Sequence, residues 1–249
     1  MTDVDRSRPD VPSDPQRVRE LAARMARGRC VLFDFDGPLC RLFPKGSSER
    51  VADQLREIVD RSGARGLLGR HERESIDPHV VLRAVDRARP GSDLVAELEA
   101  RLTAGEVAAA AVAWPTPGVD DLVRALVRAG IRIAVTTNNS PTAAAEYLRR
   151  AALDGLFSGH IHGRTDNPKL LKPDPDCLYR ALRGLGAVAE DALLIGDTVT
   201  DLAAAEEARV QFVEYVWSDH EAEHLREAGA SLVLAHFDLL SAMIPPGTS

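Results

Sequence analysis

Val31-Leu32-Phe33-Asp34-Phe35-Asp36-Gly37-Pro38-Leu39-Cys40 is the stretch on which the fold turns. Val31, Leu32 and Phe33 form a short apolar run with β-branched and aromatic members, as an interior strand of a parallel sheet requires. The strand is expected over 30–35, and Gly37-Pro38 ends it. Asp34 and Asp36 lie two apart, so in extended backbone both side chains leave the same face. Two carboxylates at the carboxyl end of a strand repel each other. A hard cation such as Mg²⁺, which takes oxygen ligands, would relieve that repulsion. The same residues also compose an ordinary solvated turn.

Upstream, residues 1–13 are charged and Pro-containing with no apolar period, and are expected to be an unstructured tail. Asp14-Pro15 suits an N-cap and first helical position, Val18, Leu21, Ala22 and Met25 follow at helical spacing, and Gly28 closes that helix. Downstream, residues 41–117 carry helical periodicity over 48–61, 78–88 and 92–113, and nothing in them alternates as a strand does. An insert of that length is enough for a small helical bundle. Trp114-Pro115-Thr116-Pro117-Gly118 is a stiff, hinge-like connector, because each Pro restricts itself and its predecessor.

From 118 onward strands and helices alternate. Helices are expected over 118–129, 142–152, 175–184, 200–208, 219–228 and 236–243. Strands are expected over 131–136, near His160-Ile161-His162, and over 192–196, 210–215 and 231–234. This predicts an α/β fold, a Rossmann-like parallel sheet with helices on both faces. In such sheets ligands bind beyond the carboxyl ends of the strands. Residues 14–40 and 118–243 form the core, 41–117 the all-helical insert, and 244–249 a Pro/Gly tail.

Composition sets the outer limits. Hydrophobic content of 45% and charged content of 28% are those of a soluble globular protein, and the low aromatic share of 4% favours helix-rich packing. A net charge of −7 argues against a nucleic-acid surface. No apolar run approaches the roughly 18 residues of a membrane span, and the N-terminus lacks the apolar core of a signal peptide. Cys30, Cys40 and Cys177 are too few and too scattered for a disulfide framework or zinc site and suit a reducing, cytoplasmic setting.

Four polar clusters follow the expected strands or precede a helix: Asp34 and Asp36; Thr137 and Asn138; Lys172; Asp197 and Asp201. If the strands are parallel, all four face one crevice, and the set suits a metal ion with an anionic substrate. In this order the sequence resembles the haloacid dehalogenase superfamily of aspartate-dependent phosphatases. Its first motif, Asp-x-Asp-Gly, is similar to Asp34-Phe35-Asp36-Gly37. The second, a strand ending in Thr or Ser and often Asn, is similar to Thr137-Asn138. A Lys before Pro is matched by Lys172-Pro173, and Gly-Asp-x-x-x-Asp by Gly196-Asp197-Thr198-Val199-Thr200-Asp201. The helical insert between the first two motifs resembles the superfamily's helical cap.

The resemblance implies a Mg²⁺-dependent phosphatase acting on a small phosphorylated metabolite through an aspartyl-phosphate. Asp34 would be the nucleophile and Asp36 the acid and base. Mg²⁺ would be held by Asp34, the Asp36 carbonyl and Asp197, with Asp201 helping directly or through water. Thr137, the Asn138 backbone and Lys172 would bind the phosphoryl oxygens, and Lys172 would keep Asp34 ionised. Crowding by other carboxylates would favour a protonated Asp36. Arg41, Lys45, Arg65, Arg70 and Arg73 are candidates to meet an anionic leaving group, and the hinges fall near Phe43-Pro44 and Trp114–Gly118.

The sequence departs from the pattern in three places. Pro38 follows Gly37 where Thr is common, Cys40-Arg41-Leu42-Phe43 replaces a usual Asp-Ser, and Arg209 ends a helix that often ends in Gly. A sugar phosphomutase of the same superfamily and a non-catalytic protein retaining the fold are the alternatives; a dehalogenase is disfavoured by Asp36. His160-Ile-His162 suits an edge strand better than a metal pair, and Gly184-Leu185-Gly186 a helix C-cap better than a dinucleotide site.

Overall fold

A computed structural model describes residues 15–27, 30–43, 46–216 and 233–244 of the chain. The expected tail 1–13, the Asp14 cap, Pro44, Lys45, helix 219–228 and residues 245–249 lie outside them. Helix α1 (Pro15–Arg27) leads to strand β1 (Cys30–Phe33) and a short β2 (Cys40–Arg41). The insert carries α2 (Ser47–Arg61), α3 (Arg70–Glu74), α4 (Pro78–Ala88) and α5 (Asp93–Ala110), and returns through β3 (Trp114–Pro115). There follow α6 (Val119–Arg128), β4 (Arg132–Thr136), α7 (Pro141–Arg150), α8 (Asp154–Phe157) and β5 (Ile161–His162). The chain continues with α9 (Asp176–Leu185), β6 (Ala192–Gly196), α10 (Val199–Ala208), β7 (Gln211–Tyr215), β8 (Val233–Leu234) and α11 (Phe237–Met243).

β1 lies inside a parallel six-stranded sheet of order β5-β4-β1-β6-β7-β8. Because side chains alternate along a strand, β1 feeds both faces. Val31 and Phe33 pack with Leu122, Tyr147 and Phe237 of α6, α7 and α11, while Cys30 and Leu32 pack with Leu178, Ala181 and Ala205 of α9 and α10. This is the expected doubly covered α/β sheet, with the central strands β1 and β6 continuously apolar because both faces are buried.

The strand is shorter than the sequence suggests. β1 ends at Phe33, and the chain turns through Phe35–Cys40, closed by Cys40 N–H to Phe35 O at 3.2 Å and Gly37 N–H to Cys40 O at 2.7 Å. Gly37 has φ +120°, and a Cβ there would fall on the Asp197 carboxylate, so only glycine fits.

The insert is not wholly helical. β2 and β3 pair antiparallel as a two-stranded ribbon where the insert leaves and rejoins the sheet. The connector is pinned as well as stiff: the buried Thr116 hydroxyl donates to Gly37 O at 2.6 Å. Between the ribbon strands, α2, α4 and α5 close around their own apolar cluster, with Leu55, Leu82, Leu98 and Leu102 fully buried. Asp77 caps α4 and Ser92 caps α5, each side chain accepting a first-turn N–H.

Arg209 terminates α10 in the left-handed region, with φ 56°. A Cβ costs roughly 1–2 kcal/mol there, which glycine avoids, partly offset by its freedom in the unfolded chain. Arg209→Gly is therefore expected to stabilise the protein by about 0.5–1 kcal/mol, read as a raised urea midpoint at unchanged slope.

Candidate active site

The sheet brings the named carboxylates and the lysine together. Asp34 follows β1, Thr137 and Asn138 follow β4, and Asp197 follows β6. Asp201 lies in the first turn of α10, and Lys172 in the loop before α9. All of them line one cleft of about 410 Å³, as do Asp36 and, from the insert, Ile76, Asp77 and His79.

Lys172 is 2% exposed, and its ammonium donates to Asp34 Oδ1 at 2.8 Å, to Thr136 O at 3.0 Å and to Asp201 Oδ1. Burial alone would favour the neutral amine, but Asp201 and Asp34 hold its pKa above the ordinary value. The carboxylates outnumber it. Burial pushes Asp34 up against the pull of Lys172, and burial with the charges of Asp34 and Asp201 pushes Asp197 well up. Asp34, Asp197 and Asp201 each present an oxygen within 4.8 Å of the others. Asp197 Oδ1 is buried with no hydrogen-bond partner among the described residues. An all-oxygen donor set with an orphaned carboxylate oxygen fits a hard divalent cation such as Mg²⁺.

Asp201 has further duties. Its Oδ2 accepts from the Thr198 hydroxyl at 2.6 Å and from Thr198 N–H at 3.1 Å, completing a capping box at the start of α10. Asp36 is not brought to the cleft by strand alternation with Asp34, since β1 has already ended. Its Oδ1 turns to accept Leu42 N–H at 2.8 Å. Burial is the main cause that pushes Asp36 up to about 7, with Asp34 adding to it, so carboxylate crowding is the lesser cause. The Asp36 side chain stays outside the metal-competent trio.

On the other side of Asp34, the Thr137 hydroxyl donates to Asn139 Oδ1 and accepts Asn139 N–H, both at 3.1 Å. The Asn138 amide clamps the backbone of Lys172: Oδ1 accepts Lys172 N–H at 2.7 Å and Nδ2 donates to Lys172 O at 3.2 Å. Asn138 N–H has no hydrogen-bond partner among the described residues.

Sequence reasoning missed a buried network joining the insert to this loop. Glu106 of α5 takes Arg164 Nη1 and Nη2 at 2.7 and 3.0 Å, Asn139 Nδ2 at 3.2 Å and Ser140 N–H at 2.9 Å. Although burial would raise it, His79 and Arg164 hold Glu106 down to about 2. His79 sets Nδ1 against Asp77 Oδ1 at 2.9 Å and Nε2 against Asn138 O at 3.0 Å. Burial would lower His79, but Asp77 and Glu106 lift it to about 9. One signal was available: Glu106 continues the apolar stripe Leu98-Leu102 at helical spacing, where a charge is out of place.

Of the leaving-group candidates, Arg41 lines the cleft. Arg65 and Arg73 instead pair with Asp60 on the insert, and neither they nor Arg70 line it. His160, just before edge strand β5, stacks on His162 within it at 6.3 Å, and neither belongs to a metal-competent group among the described residues. All three cysteines are buried thiols. No helix among the described residues is long and apolar enough to cross a membrane.

A family model for haloacid dehalogenase-like hydrolases matches residues 29–209. The phosphoglycolate phosphatase of Rhodospirillum rubrum is 30% identical over 220 residues, covering 84% of this chain and 87% of that protein. The phosphoglycolate phosphatase of Mesorhizobium japonicum is 32% identical over 129 residues, and here the match spans about half of each chain, 51% of this one and 55% of the relative. Among solved structures, CbbY from Rhodobacter sphaeroides in complex with phosphate is similar at a TM-score of 0.61 and 25% identity, over 84% of this chain and 95% of that one.

Removing one partner of a buried ion pair leaves the other uncompensated, at about 3–5 kcal/mol. Lys172→Met, which keeps the stem and deletes the ammonium, is expected to lower stability by about that amount at neutral pH in urea unfolding.

Proposed function

We propose that this chain, which belongs to the haloacid dehalogenase-like hydrolase family, is a Mg²⁺-dependent phosphatase of small phosphorylated metabolites. The observation that carries the reading is the division of labour between two buried carboxylates. Asp34 is held by Lys172 as a member of the metal-competent trio, and Asp36, two residues on, is turned aside and pushed up to about 7.

In this reading Asp34 Oδ attacks phosphorus while the bond to the leaving oxygen breaks, giving an aspartyl-phosphate. Protonated Asp36 gives its proton to the departing alkoxide. As a carboxylate it then takes a proton from the water that attacks phosphorus, releasing phosphate and regenerating Asp34. Lys172, Asn138 N–H and Thr137 bind the phosphoryl oxygens, where charge must be stabilised during transfer. Asp34, Asp197, Asp201 and the Asp36 carbonyl would hold Mg²⁺, which when bound offsets the repulsion between carboxylate and phosphate dianion. Residues 41–117 serve as the cap over the core of 14–40 and 118–243, excluding bulk water and limiting substrate size. The names of the relatives favour a small phosphorylated acid, and Arg41 is among the residues that line the cleft.

A panel of phosphate monoesters including phosphoglycolate is expected to show Mg²⁺-dependent phosphate release, reduced to background by Asp34→Asn. Phosphate release that persists in that variant, or is absent across the panel, sinks the reading. Asp36→Asn is expected to lose about 10²–10⁴-fold in rate.

The pH dependence follows from Asp36. Its proton is needed for leaving-group departure, so kcat for a poor leaving group is expected to fall as pH rises through about 7. A leaving group that departs without protonation, such as p-nitrophenolate, should show a weaker alkaline limb.

A further inference from the structure

Helix α4 reaches from the insert to the phosphate side of the cleft with two cationic side chains, His79 and Arg83. They are four residues apart, so they project from one helix face. His79 Nε2 lies 3.0 Å from the carbonyl of Asn138, and Arg83 Nη2 donates to the carbonyl of Lys172. Those two residues are already tied to each other through the Asn138 amide. The helix therefore grips both members of a pair that lines the cleft, one with an N–H unpartnered among the described residues and the other with a buried ammonium.

The grip is itself held. Nδ1 of His79 meets Asp77 Oδ1, and Nε2 meets a carbonyl, so both ring nitrogens face acceptors and the imidazolium satisfies both. Arg164, on the core, approaches the same Asn138 carbonyl at 3.0 Å and lies 3.3 Å from His79 Nε2. Glu106 lies between the two cations, 3.4 Å from His79 Nε2 and in a two-pronged pair with Arg164. Without that carboxylate the two positive groups would repel each other at the point where both must bond.

We propose that His79 and Arg83 are positioning residues which complete the phosphate-binding half of the cleft from the insert, by fixing the carbonyls of Asn138 and Lys172. Docking of the helical insert thus assembles the site as well as covering it. The inference rests on the phosphatase reading for its kinetic readout, and on phosphate affinity for a readout independent of turnover.

The experiment compares wild type with His79→Ala, His79→Gln and Arg83→Met. It measures kcat and KM with p-nitrophenyl phosphate in Mg²⁺, the Kd of inorganic phosphate by calorimetry in Mg²⁺, and folding by circular dichroism. Gln keeps an N–H donor of similar reach toward Asn138 O. His79→Ala is expected to lower kcat at least tenfold and to weaken phosphate binding at least tenfold, with His79→Gln recovering most of both. Arg83→Met, at a half-buried position that tolerates a flexible apolar chain, should move both in the same direction. Folded His79→Ala and Arg83→Met variants with kcat and phosphate Kd within twofold of wild type would overturn the proposal. So would a His79→Gln variant as impaired as His79→Ala. A wild type that binds phosphate but turns over no monoester, with the His79 effect on binding intact, would overturn the phosphatase reading and support this one. A wild type that binds no phosphate would overturn both.

Discussion

The ammonium of Lys172, buried between Asp34 and Asp201, is the constraint on which the rest of the cleft depends. A charge at that depth is tolerable only when paired and hydrogen-bonded, and a group of buried acids is tolerable only with a cation among them. Each side therefore requires the other, and both require the sheet. β1, β4 and β6 must be adjacent and parallel for Asp34, Thr136 O and Asp197 to meet at one end. The end of β6 must also pass close to α10, and it does so at Gly196, where a Cβ would collide with Asp201. The capping box at Thr198 then orients Asp201 toward Lys172. The ion pair is thus a consequence of topology, and its geometry is set by ordinary turn and capping chemistry.

Much of this was legible in the sequence because it rests on local signals. The central strands of the core are apolar runs bounded by turn residues, and Asp34, Thr137 and Asp197 each sit directly after one of them, while Lys172 lies before α9 and Asp201 in the first turn of α10. The order of the motifs adds the pairing that no single stretch contains. The endpoint of β1 was less legible. Phe35 continues the apolar run, but it leaves the strand because Gly37 must approach Asp197, a contact some 160 positions away. That one long-range constraint turns the Asp34–Asp36 pair from neighbours on a strand face into two groups with different partners.

The insert was legible as helices and opaque as chemistry. Its apolar stripes predict three packed helices, and the structure has them at nearly the expected bounds. What periodicity cannot give is which polar residues on those helices turn inward to the core. His79 follows a helix-start signature, Asp77-Pro78, and its position is accounted for by that signature alone. Arg164 lies in a loop after a two-residue strand, with nothing nearby to mark it as buried. Apart from Asp77, the partners of both are separated from them by tens of residues, and only Glu106, on an apolar stripe, breaks a local rule.

Among the described residues, the two buried charged clusters around Glu106 and around Asp197 differ in how fully their carboxylates are satisfied. At Glu106 every oxygen is used: two guanidinium nitrogens, an amide and a backbone N–H converge on it, and its pKa falls to about 2. Such a carboxylate gains nothing from a further cation. Asp197 is the opposite case. It is pushed well up, crowded by Asp34 and Asp201, and keeps a buried oxygen with no partner among the described residues. A fold that satisfies one buried acid so completely has the means to satisfy another. The crowding of Asp197 is maintained by the same backbone that packs Gly37 against it, and the oxygen trio it belongs to fits a hard cation. The two clusters meet at Asn138, whose side chain holds Lys172 and whose carbonyl is held by the first network. The saturated cluster can therefore act as the rigid support of the unsaturated one.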